Sequence, residues 1–98
     1  MTRTLVFSGG GDYVDPWHPF AETSALIAQL LEPEASEVLV VDRVAALERE
    51  LPSADLLIVN AGGGPEPHPL DARLARAMES LRGGLLVLHV AATLLPEV

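Results

Sequence analysis

The chain carries three histidines, and each stands where an imidazole could do chemistry. His18 and His68 are both followed by proline, at the ends of the glycine-rich stretches "SGGGDYVDPWHPF" and "NAGGGPEPHP". His89 closes the apolar run of "GGLLVLHVAA". Imidazole is the commonest general acid or base and a frequent metal ligand. Asp15, three residues before His18, is placed to orient that ring or to share a divalent cation with it. Nitrogen and oxygen donors without sulfur suit zinc or manganese, with nothing to choose between them. The chain has no cysteine, so a thiolate nucleophile, a thiolate metal site and a disulfide are all excluded. Plainer roles stand beside these. His18 and His68 could each sit at a helix cap, with the proline at the first helical position, where its missing N–H costs nothing. His89 could be a core histidine bonded to a neighbouring strand end.

The elements that must position these rings alternate regularly. "TLVF" (Thr4 to Phe7), "EVLVV" (Glu37 to Val41), "DLLIV" (Asp55 to Val59) and "LLVLHV" (Leu85 to Val90) are short runs rich in β-branched and aliphatic residues, without polar alternation. Such runs predict parallel strands buried on both faces. Between the first two, Phe20, Ser24, Ile27 and Leu31 share a helical stripe, with Leu30 beside it. Between the last two, Leu70, Leu74, Ala77, Met78 and Leu81 share another, and Arg82 with Gly83 reads as the helix stop. A shorter helix fits between about Arg43 and Glu50. The expected fold is a three-layer α/β/α arrangement around a parallel four-stranded sheet of order 2-1-3-4, flavodoxin-like, in a single domain over residues 1–98.

That order makes the position of the histidines count. Strand-to-helix connections of an open parallel sheet lie at its carboxyl edge, where ligands bind, above all at the switch point between strands one and three. His18 follows strand one, His68 follows strand three and His89 ends strand four, so all three gather along one edge. The same edge collects Gly10, Gly11 and Trp17 from the first connection, and Asn60 and Gly63 from the third. Glycines let backbone N–H groups approach a ligand, although a triple glycine also serves as a permissive turn. Trp17 could stack on a sugar ring or cover the sheet edge. His89 and His18 are the candidate acid/base pair, His18 and Asp15 the candidate metal ligands, and Gly10, Gly11, Trp17, Asn60, Gly63 and His68 the candidate substrate contacts. No nucleotide fingerprint is present: Val14 stands where a third glycine would follow Gly9 and Gly11, and no Gly-Lys-Ser/Thr phosphate loop occurs.

The net charge of −8 argues against a nucleic-acid partner, because phosphate binding needs clustered cations. No run reaches the about eighteen apolar residues of a membrane span, and the N-terminus lacks the apolar region of a secretory leader, which together point to a cytoplasmic protein.

"FSGGGDYVDPWHPF", "ADLLIVNAGGG" and "LRGGLLVLHVAA" together resemble the N-terminal half of a trehalose-utilisation (ThuA-like) domain. The resemblance rests on the histidine-proline after the first strand and on the glycine pair, apolar run, histidine and alanine at the fourth. It implies the class I glutamine-amidotransferase-like fold and a role in the metabolism of carbohydrate: trehalose, a related glycoside or a keto-sugar. Amidotransferases place a nucleophilic cysteine on the elbow after such a strand. The matching position here holds His89, so glutamine hydrolysis through a thiolate is not implied. Only His18 and His89 carry over as matching positions. Such domains run to roughly two hundred residues, so the second half is expected to be missing. Near strands three and four the sheet is then expected to expose apolar surface and an open edge, to be covered by a second copy in a homo-oligomer or by another subunit. A non-catalytic binding or assembly module on the same fold is the alternative.

Overall fold

The computed structural model describes residues 2–13, 19–33, 37–62 and 68–88. The elements run β1 (Arg3–Ser8), α1 (Phe20–Leu31), β2 (Glu37–Val41), α2 (Val44–Glu50), a 3-10 turn (Leu51–Ser53), β3 (Leu56–Asn60), α3 (Asp71–Met78) and β4 (Gly84–Val87). The four strands form one parallel sheet in the order β2-β1-β3-β4. The α/β architecture and the strand order are those expected from the sequence.

Strand periodicity divides the core into two unlike halves. Leu5 and Phe7 of β1 and Leu57 and Val59 of β3 point to one face. There they form the main cluster with Val44 and Leu47 of α2, Leu51, and Leu74, Ala77 and Met78 of α3. Thr4, Val6 and Ser8 of β1, with Ile58 and Asn60 of β3, point to the other face and are buried too. This is the α1 side, where the helix buries Phe20 and Ser24. Every large side chain fully buried on β1 and β3 excludes apolar area from water at about 25 cal/mol per Å². These two central strands are the ones that behave as buried on both faces.

The two outer strands do not. β2 and β4 are the ends of the sheet, and their apolar runs are half-exposed. On the α1 face Leu86 keeps 49% of its surface while Ile58 beside it keeps only 3%, and on the other face Leu85 keeps 37% while Leu57 beside it keeps none. The expected bare surface near β3 and β4 is thus confined to β4. α1 turns its predicted stripe inward, with Phe20 and Ser24 buried and Ile27 and Leu31 partly so; Leu30, expected beside that stripe, is instead exposed, as is Leu26.

The helix ends differ from the sequence-based expectation. Pro19 is the N-cap of α1 rather than its first residue, and Pro69 lies in a turn two residues ahead of α3. α3 stops at Met78, so Arg82 and Gly83 lie beyond it and do not end it. Gly83 has a different task. A Cβ there would come within 1.8 Å of the Asp55 carbonyl oxygen. That carbonyl accepts the Gly84 N–H at 3.0 Å and so starts the β3–β4 ladder. Asp55 also donates its own N–H to the Arg3 carbonyl and accepts the Arg3 N–H on its carboxylate, each at 2.8 Å. The amino edge is closed further by the Arg3 guanidinium, which bonds Glu50 Oε2 at 2.6 Å, Glu37 Oε2 at 3.1 Å and the Ser53 hydroxyl.

Gly83→Ala should therefore cost more than ordinary overpacking of about 1–3 kcal/mol, because the atom in the way is backbone. Gly84→Ala meets only the Leu56 Cδ1 atom at 3.4 Å and should cost far less. Urea midpoints of the two variants check this.

Candidate functional site at the carboxyl edge

Of the predicted site residues, Gly10, Gly11, Asn60 and His68 are among those described. Asp15, Trp17, His18, Gly63 and His89 lie outside the described residues. The four described positions all fall at the carboxyl ends of β1 and β3, the adjacent central strands.

The first connection is tied down on three sides. Gly9 extends the β1–β3 ladder by donating its N–H to the Asn60 carbonyl at 2.9 Å. Gly10, at φ +123°, allows a tight turn in which its N–H reaches the Tyr13 carbonyl at 3.0 Å. Asp12 donates its N–H to the Asp42 carbonyl, and its carboxylate accepts the Val44 N–H at 2.8 Å, satisfying one of the orphan donors that open α2. Gly11 must be glycine for this seam, since a Cβ would lie 2.3 Å from the Asp42 carbonyl oxygen. Three of the amides that could have cradled a ligand are therefore spent internally. The glycines serve the turn, and ligand contact through the Gly10 N–H is not open to the chain in this conformation.

Asn60 ends β3 inside a polar network under α1. Its amide nitrogen donates to Thr23 Oγ1 at 2.9 Å and to Ser24 Oγ at 3.0 Å. Ser24 donates in turn to Ser8 Oγ at 2.7 Å, and Ser8 reaches the Phe20 carbonyl at 3.3 Å. The network fastens the first turn of α1 to both central strands. Both Asn60 donors are consumed by it. Among the described residues its Oδ1 accepts no hydrogen bond, and no buried side-chain oxygen or nitrogen lacks a partner. Oδ1 therefore reaches the surface, where it can accept from a ligand hydroxyl.

On the other face, Tyr13 links the two glycine-rich connections. Its ring meets Phe7 edge-on, with centroids 5.9 Å apart, and stacks on His68 at 4.2 Å. Its hydroxyl donates to Asp71 Oδ1 at 2.7 Å. Asp71 Oδ2 accepts the His68 N–H at 2.9 Å, and His68 Nδ1 accepts the Leu70 N–H at 3.0 Å. Burial, reinforced by the Asp71 carboxylate, pushes the Tyr13 phenol well above its ordinary range. His68 is not the cap of α3; Leu70 is. Its ring instead acts as an Asx-like acceptor for the second amide after it.

Tyr13, Asp71, Thr23 and Ser24 were not among the candidates. The spacing that could have found Asp71 is the acidic residue three positions after His68, the pattern of a side chain reaching back to an amide at a helix start. Tyr13 had no comparable local signal, because its partners lie on a different connection. No group of three or more His, Asp or Glu side chains comes together to hold a metal ion among the described residues. The proposed ligands His18 and Asp15 are outside that set.

Two variants probe the site. Ser24→Ala removes the hydroxyl that joins Asn60 to Ser8, leaving Asn60 with Thr23 Oγ1 alone and one buried donor unmet, and should cost about 2 kcal/mol in urea unfolding. Tyr13→Phe keeps the stack and loses the bond to the Asp71 carboxylate, a hydrogen bond to a charged group worth about 2 kcal/mol. The raised phenol also sets a pH dependence. The unfolded chain releases this proton first, near the ordinary value of 10.0, so the stability from Tyr13 is full below that pH and is lost as pH rises above it. The variant should show a flatter alkaline decline in the same measurement. No family model, no curated protein and no solved structure matches the chain.

Proposed function

We propose that the chain is a ThuA-like domain of carbohydrate metabolism, binding a polyhydroxylated small molecule over the carboxyl ends of β1 and β3. The observation that carries this reading is the junction between those strands. The 2-1-3-4 order puts its switch point there, and the Gly9 N–H to Asn60 carbonyl bond holds the two connections side by side. The edge offers groups suited to hydroxyls: the Asn60 Oδ1 acceptor and the His68 imidazole. Trehalose, a related glycoside or a keto-sugar is the ligand class. His89 and His18 supply acid/base chemistry of the hydrolase or lyase type, or His18 with Asp15 holds zinc or manganese. Such an ion would polarise a carbonyl or a water. Isothermal titration with trehalose and related glycosides tests the reading. Binding should persist in His89→Ala while turnover is lost, and absence of heat for every glycoside refutes it.

A second reading, a binding or assembly module on the same fold, is favoured by the exposed Leu85 and Leu86 of the end strand β4. Strand edges with exposed apolar side chains invite pairing with another chain, here a second copy or another subunit. Light scattering should then give a mass above that of one chain. A Leu86→Lys variant should return it to that of a monomer. No helix among the described residues is long and apolar enough to cross a membrane. A cytoplasmic location belongs to the same proposal.

A further inference from the structure

We propose that His68 is a fixed hydrogen-bond donor of the carboxyl edge, presenting Nε2–H to an uncharged oxygen acceptor, with Tyr13 and Asp71 as its positioning residues. The inference rests on the carbohydrate reading for its ligand and on the geometry around the ring for everything else.

The Leu70 N–H is a backbone group and can only donate. Nδ1, 3.0 Å away, must therefore offer its lone pair and carry no proton. In a neutral imidazole the proton then sits on Nε2. Among the described residues Nε2 has no partner, yet no buried side-chain nitrogen there is left unsatisfied. Nε2–H is thus open to solvent rather than hidden. The ring cannot easily turn away: Tyr13 supports one face, and the Asp71 carboxylate holds both the Tyr13 hydroxyl and the His68 N–H. Two contacts hold the ring itself, the Tyr13 stack and the Leu70 N–H on Nδ1, and a third, from Asp71, fixes the backbone that carries it, which together exceed what a turn requires.

Charge selects the acceptor. Asp71 is bonded directly to the His68 backbone, and Asp12 lies on the same connection as Tyr13. The whole chain carries a net charge of −8. A phosphate or carboxylate would be repelled here, whereas a sugar hydroxyl or a keto-sugar carbonyl would not. The ligand is accordingly an unphosphorylated sugar.

The test is nitrogen-15 NMR of the imidazole in the full chain. Free protein should show a protonated, pyrrole-like Nε2 and an unprotonated, pyridine-like Nδ1. The reverse pattern overturns the proposal. Asp71→Ala and the milder Tyr13→Phe should weaken the single-tautomer signature. An unchanged signature in both folded variants removes their positioning role. Trehalose should shift the Nε2–H resonance, and trehalose 6-phosphate should shift it less at equal concentration. If trehalose moves the Gly11, Ala61 or Gly62 amides but not the His68 ring, the donor assignment fails while the carbohydrate reading stands. If trehalose moves nothing although Nε2 carries the proton, the carbohydrate reading fails and takes the ligand assignment with it. A phosphate ester acting as strongly as trehalose overturns the selection for uncharged ligands.

Discussion

The parallel pairing of β1 with β3 is the constraint on which the other features depend. It runs from Thr4 opposite Leu56 to Ser8 opposite Asn60, and Gly9 carries it one bond further. Because this pair is central, each strand has neighbours on both sides and helices on both faces. Its members are the most deeply buried in the sheet. Every polar group that matters at the carboxyl edge leaves from this pair or is tied to it. Displacing β3 by one residue would move Asn60 to the opposite face and remove the donor that Thr23 and Ser24 accept from.

The two faces of the sheet solve the same problem differently. On the α2 and α3 side, apolar packing dominates, and the one polar atom of Tyr13 is answered by Asp71. On the α1 side, hydroxyls and an amide sit under the helix, where each donor has its acceptor. A satisfied polar network contributes little net energy, but it is costly to disturb, because a buried group left unpaired loses its full desolvation penalty. α1 is held in place by that asymmetry, while Leu26 and Leu30 contribute little to its docking.

Periodicity made the strands, the helices and their order legible in the sequence, since alternation between β and α runs leaves few topologies once crossovers are right-handed. The expected order already put Glu37–Val41 and Leu85–Val90 at the ends of the sheet, but the aliphatic run of Glu37–Val41 did not reveal that β2 is half-exposed. A run of aliphatic residues reads alike at the centre and at the edge, and the number of neighbours is a property of the whole sheet. Gly83 was legible as punctuation but not as a steric requirement, because its obstacle, the Asp55 carbonyl, is twenty-eight positions away in the chain. At the site, Asn60 and His68 were found by their place after β3. Their partners across the fold were not, since Thr23 and Ser24, which bond Asn60, belong to α1, and Tyr13, which stacks on His68, belongs to the first connection, so they meet only in the folded chain.

Tyr13 is the chain's one tyrosine, accompanied by one tryptophan. Its phenol touches Phe7, His68 and Asp71, residues from β1, the third connection and the start of α3. The phenolate absorption that grows in when that single phenol ionises, to which the indole does not contribute, therefore carries a spectral address. A solvent-exposed tyrosine elsewhere would blur it, but none exists. The molecule thus holds its own optical gauge of whether the two glycine-rich connections are joined, readable without a label.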